Sequence, residues 1–110
     1  MGKSKYRQLT AQFKPKAGVT PAREPRDDPL IHEYGSGGRQ DVDIQKGLLT
    51  YTLKIDFSDA DKAIGKLWKV LDKMHVLDEW EGLNVFGIRT KDKGQCDYFT
   101  VPTPENTRAS

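Results

Sequence analysis

Alternation of apolar and polar residues predicts a strand over residues 49–57, with one face buried. The apolar face carries Leu49, Tyr51, Leu53, Ile55 and Phe57. The opposite face carries Thr50, Thr52, Lys54 and Asp56. Just before this segment, Val42 and Ile44 predict a short additional strand.

The next segment has the period of an amphipathic helix. Ser58, followed three residues later by Asp61, forms a capping-box variant, so the helix is predicted to begin at Asp59 and end near residue 77. Its apolar side would carry Ala60, Ile64, Leu67, Trp68, Leu71 and Met74. Its opposite side carries a regular row of lysines, here called the lysine ridge: Lys62, Lys66, Lys69 and Lys73.

Two further segments, 84–90 and 96–101, are rich in β-branched and aromatic residues and are joined by a short turn that contains Gly94. They predict a hairpin. The order strand, helix, strand, strand predicts the α+β class, with a small, mostly antiparallel sheet covered on one face by the helix. We assign this compact core to residues 41–102 and a disordered tail to 103–110. A core of this size favours dimerisation or docking on a partner.

Residues 1–40 show no sustained apolar period and contain four prolines, so they are predicted to form a flexible arm. The stretch 35–38, Gly-Ser-Gly-Gly, would be its hinge to the core. A mean hydropathy of -0.73 also indicates that part of the chain is unfolded. The arm is basic, since residues 1–26 contain seven Lys and Arg against Glu24 alone, whereas the whole chain has a net charge of only +2.

The sequence has few candidates for chemistry. Cys96 is the single cysteine, and no spacing of Cys and His predicts a metal site. His32, His75 and Cys96 do not form a recognisable nucleophilic constellation, so the chain is predicted to be no enzyme and to need no cofactor. No apolar run is long enough to span a bilayer or to act as a signal peptide, which predicts a cytoplasmic protein without a membrane role.

The charge pattern instead favours a small regulatory or inhibitory binding module, with nucleic acid as the leading partner. Cations interleaved with aromatic residues offer phosphate contacts and base stacking. In the arm these residues are Lys3, Lys5, Tyr6, Arg7, Phe13, Lys14 and Lys16. The lysine ridge would follow the same polyanion. The alternative is that the ridge only keeps the protein soluble, and that the arm is a disordered tail that does the same or docks into an acidic groove of a protein.

A second hypothesis is an adaptor or inhibitor directed at a protein. It would dock through the open face of the sheet, where Thr50, Thr52 and Lys54 meet Tyr98 or Phe99 of the hairpin, or through an acidic patch. The patch consists of Asp78, Glu79, Trp80 and Glu81. A tryptophan in such a setting more often closes the edge of a core than anchors a partner. A homodimer is a further possibility.

Overall fold

The computed structural model describes residues 5–20, 34–43, 45–91 and 95–102. They form a five-stranded antiparallel sheet and one α-helix, which confirms the predicted α+β class. The elements are β1 (Tyr6–Pro15), β2 (Gly38–Asp43), β3 (Leu48–Leu53), α1 (Ala60–Lys73), β4 (Trp80–Arg89) and β5 (Cys96–Phe99). Short 3-10 turns precede β2 at Gly35–Gly37 and β4 at Val76–Asp78.

The central strand of the sheet is β1, in the order β2-β3-β1-β4-β5. It pairs antiparallel with β3 on one side and with β4 on the other. Leu9, Ala11 and Phe13 point to the helix side and are fully buried. The prediction of a flexible arm is therefore wrong for Tyr6–Pro15. Residues 38–40 of the predicted arm are also ordered, since they begin β2. Its parts 1–4 and 21–33 lie outside the described residues, as does the predicted tail 103–110.

In β1 the alternation of polar and apolar residues covers only Gln8 to Lys14, and one of its three apolar positions is the small Ala11, so the sequence did not reveal the strand. The register against β4 shifts at Arg7, the extra residue of β1 that separates Tyr6 from this run, and again at Leu83, the extra residue of β4. A bulge inserts an extra residue and breaks the period of two on which pattern recognition depends.

The helix α1 begins one residue later than predicted. Its N-cap is Asp59, not Ser58, and the Asp59 carboxylate accepts a hydrogen bond from the Lys62 amide at 3.1 Å. The buried side carries Ile64, Leu67, Trp68 and Leu71, as the pattern predicts. The helix ends at Lys73, before the expected residue 77, because His75 takes the left-handed conformation with φ 63°.

The remaining strands agree with the predicted pattern but differ at their ends. β3 ends at Leu53, and Phe57 forms instead an isolated bridge with Tyr6 of β1. β2 includes Gly38 from the predicted hinge and Val42, while Ile44 lies outside the described residues. β4 and β5 pair as the predicted hairpin, although β4 already begins at Trp80. The intervening residues 92–94 are not among those described.

One face of the sheet packs against α1 and forms the core. Aligned across the three inner strands, Leu9 lies between Leu53 and Gly87, and Ala11 lies between Tyr51 and Val85. All of these residues are buried, and Trp68 of α1 stacks at a tilt on Phe13, with 5.1 Å between ring centroids. The other face of the sheet carries the alternate residues and has no helix on it among the described elements.

Candidate nucleic-acid interface

The uncovered side of the sheet, here called the open face, follows from the strand register. Side chains alternate between the two sides of a sheet, so residues between the core positions point to the open face. The inner strands contribute Gln8, Thr10, Gln12, Lys14, Thr50, Thr52, Asn84, Phe86 and Ile88. The outer strands add Arg39, Asp41, Cys96 and Tyr98.

An aromatic pair lies on the β4–β5 half of the open face. Phe86 and Tyr98 are partners in the register, and their ring centroids are 5.1 Å apart with planes tilted by 42°. Tyr98 is 67% exposed, the largest value among the exposed large hydrophobic residues of the described chain. Ile88 lies beside them, and Leu83, at the bulge of β4, is 42% exposed. The pair offers accessible aromatic surface on a rigid support.

Amides and hydroxyls occupy the middle of the open face. Asn84 Nδ2 donates to Gln12 Oε1 at 3.2 Å, and Gln8 Nε2 donates to Thr10 Oγ1 at 3.3 Å. Thr10 is only 6% exposed although it points away from the core, because its neighbours on the same face surround it. These side chains can still donate or accept further hydrogen bonds, since each amide has more than one donor and acceptor site.

Exposed cations lie on or beside this face. Lys14 follows the outward alternation of β1, Lys54 is the residue directly after β3, and Arg7 is the extra residue at the bulge of β1. Two acidic residues partly offset the basic charge. Arg39 pairs with Asp41 at 3.2 Å, and Lys14 lies opposite Glu81 in the register.

The aromatic residues that the sequence suggested for base stacking are not available. Tyr6 is 4% exposed and stacks on Phe57, with ring centroids 5.0 Å apart, while Phe13 is fully buried against Trp68. Both lie on the helix side of β1. Their assignment to a nucleic-acid surface is therefore wrong, because a strand and not a free arm carries them. Lys5 and Lys16 flank this strand, and Lys3 lies outside the described residues.

The lysine ridge is exposed along α1, with Lys62, Lys66, Lys69 and Lys73 on the side away from the sheet. Lys66 Nζ lies 5.5 Å from the ring centroid of Tyr34, a cation–π distance. The ridge and the open face are thus on opposite sides of the molecule. The expectation that the ridge and the basic residues of β1 contact one polyanion together does not fit this placement.

In the structure the acidic patch has no exposed tryptophan. Trp80 is 1% exposed and pairs with Pro15 at the start of β4, so it belongs to the core. Asp78 and Glu79 are exposed around it, and Glu81 is half-buried. The prediction that Trp80 contacts a partner is wrong, because the tryptophan closes the end of the core beside the helix.

A polar cluster joins β1, β4 and β5 where β1 begins and β4 ends, at the opposite end of these strands from Trp80. Tyr6 Oη donates to Asp97 Oδ2 at 2.6 Å, and Arg89 binds both carboxylate oxygens at 2.9 and 3.0 Å. The hydrogen bonds from Arg89 and Tyr6 hold the pKa of Asp97 below its usual value. The same bond to the carboxylate, together with burial, raises the pKa of Tyr6. Each of these three side chains therefore has a hydrogen-bond partner within the fold.

The described residues contain no group of three or more His, Cys, Asp or Glu that could hold a metal ion. His75 contacts Asp78 at 3.2 Å, whereas Cys96 is exposed on the edge strand, and His32 lies outside the described ranges. An open groove of about 930 Å³ runs beside the first half of α1, between Tyr34, Ile55 and Phe57, and its rim mixes aspartates with ridge lysines.

Sequence reasoning found Tyr98 as a possible surface residue but missed Phe86 as its partner. The signal was present, since both positions fall on the same side as Thr50 and Thr52 once the register is known. The register depends on the bulges and on β1, which the sequence alone did not place.

No family model, curated protein or solved structure matches this chain. Within the described part of the chain, no helix is long and apolar enough to cross a bilayer.

Proposed function

We propose that this protein is a small, non-enzymatic regulatory binding module that holds single-stranded nucleic acid on its open face. The observation that carries the proposal is the pair of Phe86 and Tyr98, with Tyr98 67% exposed on a rigid sheet. Unpaired bases stack on such aromatic side chains with little dependence on sequence. The pair takes the role that the sequence had suggested for Tyr6 and Phe13.

The surroundings of the pair suit the other parts of a nucleotide. Arg7, Lys14 and Lys54 are exposed cations for phosphates, and the amides of Gln12 and Asn84 offer donors and acceptors for base edges. The outer strands of a five-stranded sheet are also about 19 Å apart, at about 4.8 Å between neighbouring strands, which exceeds the major groove of about 12 Å. The face is therefore suited to a single strand laid across it and not to insertion into a duplex.

A second candidate uses the same face for a protein. Leu83 and Ile88 extend the apolar area around Phe86, and exposed apolar patches are typical of interfaces between proteins. This supports an adaptor, an inhibitor or a homodimer that docks through the sheet. The two candidates differ in salt dependence, because phosphate contacts weaken with salt and apolar contacts do not.

The test measures binding of a fluorescent single strand and of the matching duplex over a series of salt concentrations. We expect preference for the single strand. Tyr98→Ala should weaken single-strand binding by about 1–3 kcal/mol, the cost of one lost stacking contact, with the salt slope unchanged. Lys54→Gln should instead lower the slope of log affinity against log salt by about 0.7.

Met74→Ala is the matched control, since it truncates an exposed apolar side chain at the end of α1, away from the open face. It should bind as the wild-type protein does. No binding at low salt, or equal binding by Tyr98→Ala and wild type, contradicts the proposal. If the protein binds no nucleic acid and Tyr98→Ala changes its oligomeric state in solution, the protein-directed candidate is supported instead.

A further inference from the structure

The lysine ridge is the strongest charged feature that the proposed function leaves unused. Its residues follow the spacing i, i+4, i+7 and i+11, which places four ammonium groups on one side of α1 over about 16 Å at 1.5 Å per residue. The opposite side of the helix is buried through Leu67 and Leu71. The ridge therefore faces away from the sheet.

Three of the four ridge lysines form no ion pair in the part of the chain that the structure describes, although Asp61 and Asp72 are exposed on the same helix. Among the described residues, no carboxylate lies within ion-pair distance of Lys62, Lys69 or Lys73. Elsewhere the fold does neutralise cations, as Arg39 with Asp41 and Arg89 with Asp97 show. A row of exposed ammonium groups attracts a polyanion, and binding is favoured by the release of its counterions.

We infer that the ridge is a second polyanion-binding surface that takes the phosphate backbone of a nucleic acid, so that one molecule bridges two separate nucleic-acid segments. The bridging rests on the proposed function of the open face. The ridge carries no exposed aromatic residue, so it contacts phosphates without stacking on bases, and it accepts single strands and duplexes alike.

A membrane surface is the other polyanion that a basic helix can bind, but α1 is poorly suited to it. Interfacial helices bury their apolar side between lipids. The apolar side of α1 is already buried against the sheet through Ile64, Leu67, Trp68 and Leu71. Only the charged side is accessible, which favours a nucleic-acid backbone.

The two surfaces are separated by the thickness of the sheet and the helix, and the smallest extent of the molecule is 25 Å. A strand that lies on the open face reaches the ridge only by turning around an edge of the sheet. A second segment reaches the ridge directly. Geometry therefore favours two segments over one wrapped strand.

The experiment immobilises one oligonucleotide on a surface, binds the intact protein to it, washes, and measures recruitment of a second, fluorescent oligonucleotide. We expect recruitment by the wild-type protein. The double variant K62Q/K69Q should lose most of the second binding and retain the first. The charge-matched control K46Q/K91Q removes two exposed lysines outside the ridge and should still recruit the second oligonucleotide.

The outcomes separate the two proposals. If the first oligonucleotide does not bind at low salt, the proposed function fails, and direct titration of a duplex with wild type and K62Q/K69Q then tests the ridge alone. If the first binds and no second is recruited, only the bridging inference fails. Equal recruitment by K62Q/K69Q and wild type also overturns it.

Two further measurements complete the test. Sedimentation at the working concentration must show a monomer, because a dimer would bridge through two open faces without the ridge, and that result overturns the inference. Vesicles containing phosphatidylserine are the second probe. If the wild-type protein binds these vesicles, K62Q/K69Q does not, and no second oligonucleotide is recruited, then the ridge binds lipid. That result refutes a nucleic-acid backbone as its partner.

Discussion

Asp97 links three neighbouring strands through its carboxylate. It lies on β5, accepts from Arg89 on β4 and accepts from Tyr6 on β1, so its partners reach it from one adjacent strand and from one beyond. Tyr6 spans the intervening strand at Gly87, which is the register partner of Asp97 and has no side chain in the way. The bond is charge-assisted and short, which is the stronger kind of hydrogen bond.

This cluster predicts that the hydroxyl of Tyr6 stabilises the fold only between two pH limits. The hydrogen bonds from Arg89 and Tyr6 hold the pKa of Asp97 in the folded protein below the ordinary value of 3.8, so its stabilising contribution is present above that pH and is lost as the pH falls through the folded pKa. Tyr6 has a folded pKa above 10.0, so its contribution is present below that pH and is lost as the pH rises through the folded pKa.

The measurement compares urea midpoints of the wild-type protein and Tyr6→Phe across pH. The difference in midpoint should be largest around neutral pH and should shrink at both ends. Tyr98→Phe serves as the control, since it removes an exposed hydroxyl and should give a small difference at every pH. A difference for Tyr6→Phe that stays constant from acid to alkaline pH would refute the role of the bond to Asp97.

At the scale of elements, two glycines differ in the space that a side chain would have. Gly65 lies within α1, where a Cβ would meet no atom within 4 Å. Gly87 lies within β4, where a Cβ would be 3.1 Å from the rings of Tyr6, Phe57 and Phe99 at once. In the helix the missing side chain only costs conformational entropy. In the strand it leaves the space that three aromatic rings fill.

We therefore predict effects of opposite sign for the same substitution. Gly65→Ala should raise the free energy of unfolding by about 0.5–1 kcal/mol, because alanine is the better helix former. Gly87→Ala should lower it by about 1–3 kcal/mol, since three packed rings must move together. Urea denaturation measures both. A destabilised Gly65→Ala would contradict the free space beside α1, and a neutral Gly87→Ala would contradict the ring packing over β4.

The elements that the sequence predicted are those in which one pattern runs without interruption. Leu49, Tyr51 and Leu53 alternate cleanly, and the apolar stripe of α1 keeps its period from Ile64 to Leu71. The exact ends were less predictable, because Asp59 and Ser58 are both good caps and the choice between them depends on local backbone geometry. The left-handed turn at His75 had no signal, since histidine adopts it only occasionally.

At the scale of the whole molecule, the main failure of pattern reasoning was to separate β1 from the core. Its partners β3 and β4 are distant in sequence, and the sequence of residues 6–15 does not indicate which strands it pairs with. The charges at its two ends, Arg7 and Lys14, favoured the hypothesis of a basic arm. The same error displaced the candidate site, because only the assembled sheet shows which side chains share the open face and which side the ridge is on.

The position of β1 gives a final prediction, on hydrogen exchange. Amides of a strand that is paired on both sides exchange only through global or large partial unfolding. Backbone exchange followed by mass spectrometry should therefore show residues 6–15 to be as protected as those of β3 and β4. The edge strand β5, which has a partner on one side only, should exchange faster.

A chain lacking residues 2–26 should lose its cooperative unfolding transition, since it has no central strand to join β3 to β4. Protected β3 amides together with unprotected residues 6–15 would instead return this segment to the role of a free basic arm, and the open face would no longer have the composition on which the proposed function rests.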